Sequence, residues 1–326
     1  MKPLIISSEK NSFELTRLRN DLKGALELND HNYSVSIYDE TYTIAHFLSL
    51  NELRKYKSEL IKGAKIILSL LYCEEDYEGS ILSTKKDGTL MISKFDLDLI
   101  NKTDLVLVPN EENLNNLIKI GVTARIKVLG SGVNISKFSV KNTYTRNIAY
   151  RYFKCSEDNQ FVITILNFSD EKAFERINKI AQKFPKIKFV AITDLEHITR
   201  RIKKVIKKHP QNLIISGIVD ENVYLSLVFN SVAYLFLNSY ESNVMQCYEA
   251  MASQTQILAL KGSVYSDIII DKENGYVYND LDSLINDFSK LISNDLLLTT
   301  SKAKEIAATN SLKNVGQKLI NIYKGL

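Results

Sequence analysis

The sequence predicts an α/β protein of two Rossmann-like, doubly wound domains that face each other across a cleft. Short apolar, β-branched runs alternate with stretches of helical periodicity along the whole chain, as parallel strands covered by helices require. The length, 326 residues, suits two domains, because single cores stop growing at roughly 250–300 residues. The alternation breaks from about Ser139 to Asn159, a polar stretch rich in Tyr, Asn and Arg. We read 1–140 as an N-terminal domain, 141–159 as a linker, 160–310 as a C-terminal domain, and 311–326 as a final helix able to pack back on the first domain.

In the first half, Leu4–Ser7, Tyr33–Tyr38, Lys65–Leu71, Thr89–Ile92, Asp104–Val108 and Ile126–Leu129 read as strands. Between Ser12 and Leu28, the residues Leu15, Leu18, Leu22, Ala25 and Leu26 share one helical face. Asn110 is placed to cap a helix through Ile118, which Gly121 closes. The second half restarts with Phe161–Leu166 and continues with Ile187–Ile192, Leu213–Ser216, Val232–Leu237, Gln256–Leu260 and Tyr276–Tyr278. Three helices finish the chain, the last from about Leu312 to Tyr323.

The bulk numbers exclude several classes. A formal net charge of +4 is too mild to imply nucleic acid. No run approaches the roughly 20 apolar residues of a membrane span, and the start lacks a signal peptide's apolar region and cleavage site. Cys73, Cys155 and Cys247 are far apart and form no disulfide framework, which fits a reducing cytosol. His31, His46, His197 and His209 have no zinc-ligand spacing. We therefore expect a cytoplasmic protein, peripheral at most to the membrane, with no metal and no bound cofactor.

Open α/β sheets bind ligands beyond the carboxyl ends of their strands. That edge alone suits a dehydrogenase, a sugar-binding protein or a transferase. No Gly-x-Gly-x-x-Gly follows a strand, which argues against a dinucleotide. The sharpest segment is Asn238 to Gly275, where Glu241 and Glu249 stand eight residues apart, Glu249-Ala250-Met251-Ala252 continues, and Asn274-Gly275 closes. Eight residues are a little over two helical turns. With Glu241 in a loop and Glu249 inside the following helix, both carboxylates can face one ligand. Backbone N–H groups near Asn243 and Val244 would then point at a diphosphate, helped by the helix dipole. The bland alternative is a chance pair of glutamates on one helix, with Cys247 between them as a packing residue.

This block resembles the donor-binding block of family 4 glycosyltransferases of the GT-B fold. The resemblance implies a retaining transfer of a hexose from a nucleotide sugar, UDP-linked by preference, with no metal. It assigns Glu241 to the transferred sugar, Glu249 to the ribose hydroxyls, and Ser242, Asn243 and Val244 to donor binding. Ile126 to Phe138 is similar to the stretch that ends the family's N-terminal domain, with Gly132 expected to permit a tight, positive-φ turn at the cleft edge. In Ile165 to Lys172 the resemblance implies an Arg and a Lys aimed at the diphosphate. Lys172 stands, and Asn167 replaces the Arg. The nearest likeness is to bacterial synthases that add a hexose to a glucosyl-diacylglycerol. It rests on Phe174 to Phe189, on Glu74-Glu75-Asp76-Tyr77, and on the tail from Ser311 to Tyr323. The implied partners are a nucleotide sugar and a glycolipid or cell-surface glycan acceptor.

The chain departs from that pattern in several places. Ser12–Thr16 holds no glycine, Ser69 and Leu71 stand where the family has a histidine, and Val244 replaces a phosphate-contacting glycine. A catalytically degenerate subunit that supports an active partner is the alternative function. His197 to Lys208 reads as a sheet-covering helix with a solvated basic face, with attraction to anionic lipid as its functional alternative.

Overall fold

The computed structural model describes the chain apart from residues 7–12, 37, 40, 57–62, 71–81, 85–89, 140–146, 240–243, 262–264 and 266–267. The chain divides into two compact units, Met1–Asn134 with Asn310–Leu326, and Ile135–Thr309.

The first unit comprises β1 (Pro3–Ile6), α1 (Phe13–Glu27), β2 (Ile44–Phe47), α2 (Leu50–Tyr56), β3 (Lys65–Ser69), β4 (Leu82–Thr84), β5 (Leu90–Ile92), α3 (Lys94–Ile100), β6 (Leu105–Val108), α4 (Glu111–Lys119) and β7 (Ile126–Val128). Its main sheet is parallel in the order β1-β2-β3-β6-β7. Successive strand side chains point to opposite faces. Leu4 and Ile6 therefore join one core cluster with Phe47, Leu68 and Val106, while Ile5 joins another with Ile44, Ile67 and Leu105. Asn110 caps α4 by accepting from the Asn113 N–H, and Gly121 ends it at φ +96°.

Two expectations for this sheet need correction. Among the described residues of Tyr33–Tyr38 only Ser34 pairs, through one parallel bridge to Leu4; Tyr33 packs partly against the core, while Val35 and Tyr38 are exposed. Thr89–Ile92 does not enter the main sheet either: Leu90–Ile92 pairs antiparallel with β4 in a separate hairpin, and Thr89 lies outside the described residues. Sequence reading missed β4, in that hairpin, and β2, in the main sheet. His46 interrupts its apolar run, yet the ring is fully buried because both nitrogens have partners. Nδ1 lies 2.7 Å from the Tyr323 hydroxyl and Nε2 lies 2.8 Å from Ser69 Oγ.

Burial holds the His46 pKa down at about 3. The unfolded chain takes up this proton near the ordinary histidine value of roughly 6.5, and the folded chain does not. The stabilising contribution is therefore complete above that value and is lost as pH falls towards 3, by up to about 1.4 kcal/mol per unit. We expect the melting temperature to drop between pH 7 and pH 4.5, with a shallower slope in His46→Gln.

The second unit begins with α5 (Ile135–Ser139) and α6 (Ile148–Tyr152). The segment read as a linker, 141–159, is described from residue 147 onward, and there it packs within this unit: the Ala149 N–H donates to Ser226 Oγ at 2.9 Å. Then follow β8 (Phe161–Ile165), α7 (Glu171–Lys183), β9 (Lys188–Ile192), α8 (Arg200–Ile206), β10 (Leu213–Ser216), α9 (Glu221–Asn230), β11 (Ser231–Phe236), α10 (Met245–Ala252), β12 (Gln256–Leu260), β13 (Tyr276–Tyr278), α11 (Leu281–Ile292) and α12 (Thr300–Thr309). Six parallel strands run in the order β10-β9-β8-β11-β12-β13. The chain winds outward from β8 to β10, then returns to β11 on the other side of β8. The topological switch point lies between β8 and β11, where such sheets bind ligands.

The last helix, α13 (Leu312–Lys324), belongs to the first unit and packs along α1. Gly316 allows this approach, since a Cβ there would lie 2.2 Å from the Ala25 carbonyl oxygen. Asn29 Nδ2 ties the pair together by donating to the carbonyls of Ala25 and Lys313, at 2.8 and 2.9 Å. We expect Gly316→Ala to destabilise the first unit by about 1–3 kcal/mol through overpacking. A lowered denaturation midpoint would register it.

Candidate functional site at the switch point of the second sheet

The loops that leave β8 and β11 frame the switch point, and side chains hold them to each other. The Asn167 N–H donates to Asn238 Oδ1 at 3.1 Å, and Asn238 Nδ2 donates to the Ile165 carbonyl at 3.0 Å. Asp170 acts twice. Its Oδ1 caps α7 by accepting from the Ala173 N–H, and its Oδ2 accepts from the Ser239 N–H at 2.6 Å. Arg176, one turn further along α7, donates through Nη1 to the Leu237 carbonyl at 2.6 Å and to Ser239 Oγ at 3.2 Å.

The Asn167 side chain is folded onto its own loop. Its Oδ1 accepts from the Ser169 N–H and hydroxyl at 3.0 and 2.8 Å. Lys172 lies in the first turn of α7, exposed, and no described residue pairs with its ammonium group.

Glu241, Ser242 and Asn243 lie outside the described residues. Val244 is buried at the N-cap position of α10 and supplies no side-chain cap. By contrast α7, α8, α9 and α11 each have a capping Asp or Thr. In the first turn of α10, Gln246 is 2% exposed, and its Oε1 finds no hydrogen-bond partner among the described residues. A helix start without a side-chain cap carries partial positive charge from its N–H groups and suits an anion.

Glu249, further along α10, is 3% exposed, and its Oε2 accepts from the Tyr224 hydroxyl at 2.7 Å. The expected ribose contact thus involves a carboxylate that already holds one phenol from α9. Cys247 is fully buried on the same helix, and burial pushes its thiol pKa up, so it packs rather than reacts. Asn274 and Gly275 lock the far end of the block. Asn274 Oδ1 accepts from the Ile270 N–H and its Nδ2 donates to the Ile268 carbonyl, while a Cβ at Gly275 would meet Ile269 at 2.8 Å.

Gly132 requires a correction. The positive-φ residue of its stretch is Gly130, at +84°. Gly132 is instead a close-approach glycine in the first unit, where a Cβ would come within 3.0–3.2 Å of Val315 and Leu312 on α13. Phe138 packs in the second unit, its ring 6.3 Å from that of Tyr224. Helix α8 buries Ile202 against the core and exposes Arg200, Arg201, Lys203 and Lys204. The run Glu74-Glu75-Asp76-Tyr77 falls outside the described residues.

Sequence reading missed Asp170, Arg176, Tyr224, Asn238 and Gln246. Only Asp170 carried a local signal, an N-cap residue ahead of an apolar helical repeat. The partners of Arg176 and Asn238, and the carboxylate partner of Tyr224, come from other elements, 25–73 residues away in the chain.

Residues 152–310 match the family model described as glycosyl transferases group 1. The processive diacylglycerol alpha-glucosyltransferase of Acholeplasma laidlawii is 24% identical over 230 residues, covering 68% of this chain and 67% of that protein. Anabaena Alr3699/HepE, solved in complex with UDP-glucose, superposes with a TM-score of 0.76 at 13% identity, covering 100% of both chains. Sucrose-phosphate synthase from Thermosynechococcus elongatus superposes with a TM-score of 0.73 at 13% identity, over 99% of this chain and 98% of that one. Among the described residues no helix is long and apolar enough to cross a membrane. The segment 152–310 thus carries the match to glycosyl transferases group 1, and the chain is built on the GT-B fold.

Proposed function

We propose that the chain transfers a hexose, with retention, from a UDP-linked sugar held at the switch point of the second sheet to a glycolipid or cell-surface glycan. The observation that carries this reading is the start of α10, which no side chain among the described residues caps, together with Leu237 and Ser239 after β11, which Arg176 and Asp170 hold. The diphosphate would lie against that helix start, and Lys172 would meet the charge that develops as the sugar departs. Glu241 would support the sugar, and Glu249 would receive the ribose hydroxyls beside Tyr224. The UDP-glucose in HepE and the lipid acceptor named for the Acholeplasma enzyme support the donor and acceptor classes. A membrane acceptor would make the protein peripheral at the inner face of the membrane.

A thermal-shift screen against UDP-, GDP- and dTDP-sugars tests the donor. A ligand at 100 times its dissociation constant adds about 2.7 kcal/mol. We expect a clear rise with a UDP-sugar and transfer to a diacylglycerol-based acceptor. A flat response to all three classes would refute the proposal.

One observation favours the second reading, a silent subunit supporting an active partner. The strand-end position that an arginine would fill is Asn167, whose amide is closed on Ser169. That reading predicts no transfer by the pure protein and a stable complex with a related enzyme.

A further inference from the structure

We infer that Tyr224 is a positioning residue that sets donor specificity: from α9 it orients the Glu249 carboxylate so that the site distinguishes ribose from a sugar without its hydroxyls. The inference rests on the reading proposed above, in which Glu249 receives the ribose. The Tyr224 hydroxyl donates to Glu249 Oε2 at 2.7 Å, and both residues are 3% exposed. A phenol has one hydrogen to give. The Tyr234 hydroxyl, 3.4 Å from that of Tyr224, is therefore the donor in a second, longer contact. The order runs from Tyr234 on β11 through Tyr224 on α9 to Glu249 on α10. Phe138 on α5 meets the Tyr224 ring edge-on, with centroids 6.3 Å apart and planes at 71°. All four residues belong to the second unit.

The hydroxyl is the part of this side chain that packing does not demand. Leu225, Leu227, Val228 and Phe229, also buried on α9, are hydrocarbon, and a phenylalanine at 224 would fill the same space. Nor does α10 need a carboxylate to pack, since Met245, Cys247, Ala250 and Met251 are buried on it without charge. A carboxylate so little exposed is costly unless donors face it. A phenol on one oxygen offsets part of that cost and fixes the plane of the group. A carboxylate accepts along about four lone-pair directions, more than one phenol takes. A site that reads a hydroxyl rejects the analogue lacking it, because a buried acceptor is then left unpaired. The direction of the carboxylate decides how strongly the ribose is read, and Tyr224 sets that direction.

Calorimetric titration with UDP and with 2′,3′-dideoxy-UDP tests the assignment, since the two differ only in the ribose hydroxyls. The wild type should bind UDP tighter by roughly 10- to 100-fold, as hydrogen bonds to a charged group imply. Tyr224→Phe should shrink that preference by about 5-fold or more, through weaker binding of UDP and little change for the dideoxy nucleotide. Glu249→Gln should shrink it as well. Adding Tyr224→Phe to Glu249→Gln should then change the preference by less than about 2-fold, because the charged group being oriented is gone. Melting curves show whether each variant folds. Tyr234→Phe removes only the outer contact and should shrink the preference by about 2-fold, which keeps the test open if Tyr224→Phe does not fold.

A folded Tyr224→Phe that keeps the wild-type preference, even with both nucleotides bound more weakly by one factor, would overturn the assignment and leave Tyr224 a packing residue. An unchanged preference in Tyr234→Phe would count against it in the same way. A wild type that binds both nucleotides equally would remove Glu249 from the ribose, and this assignment with it, while leaving the donor site. Absence of UDP binding by the wild-type chain would instead refute the proposed function itself.

Discussion

Glu241→Gln is expected to lower transfer by about 10²–10³-fold, the loss typical of removing one preorganised electrostatic contact to a transition state. Glutamine keeps the size and hydrogen-bonding capacity of the side chain and removes only its charge. The positive charge that builds on the sugar as the diphosphate departs is then unsupported, so kcat falls while donor Kd barely moves. Ser239, upstream of the substituted residue, is held through Asp170 and Arg176. The fold should therefore be unaffected, and the melting curve should overlay that of the wild type. Wild-type turnover with every sugar nucleotide tested would show that Glu241 has no part in the chemistry.

Lys172→Ala is the second large effect, about 10²-fold or more in kcat/KM. Lys172 lies at the start of α7, where the helix dipole already favours an anion, and no described residue neutralises it. Its ammonium would meet phosphate oxygens through charge-assisted hydrogen bonds. Because Lys172 is exposed, its removal costs little stability, and surface substitutions of this kind usually stay within about 0.5 kcal/mol. Lys172→Arg should retain most of the activity. Raised salt should weaken donor binding to the wild type more than to Lys172→Ala. Equal salt slopes would place the lysine away from the phosphates.

Much of the second unit was legible from local pattern. Leu213–Ser216, Gln256–Leu260 and Tyr276–Tyr278 are short, apolar and bounded by turn residues, and they form strands with those limits. The first unit was harder, because its decisive residues satisfy one another over long sequence distances. His46 makes β2 look polar until Tyr323 and Ser69 are seen to hold its ring. Tyr33–Tyr38 alternates like a strand, but among its described residues only Ser34 bridges to the sheet, and Val35 and Tyr38 stay exposed. Gly132 sits in a turn-like motif, yet the contact that demands a glycine comes from α13.

The candidate site divides in the same way. The spacing of Glu241 and Glu249 was visible in the sequence. The network joining the β8 and β11 loops was not, because its bonds span 61–73 residues. Periodicity reports which face of an element is buried, and it says nothing about which distant loop that element will touch. The buried Glu249–Tyr224 pair is a further example: the carboxylate was legible as a candidate, while the phenol that meets it came from another helix.

The central claim is that a sugar nucleotide sits where β8 and β11 part, against the start of α10. Amide hydrogen exchange with and without saturating UDP measures this most directly. Bound nucleotide should slow exchange in the peptides covering 166–172 and 237–249, and leave the peptides of α12 unchanged. Saturating UDP that protects neither of those two segments would contradict the account.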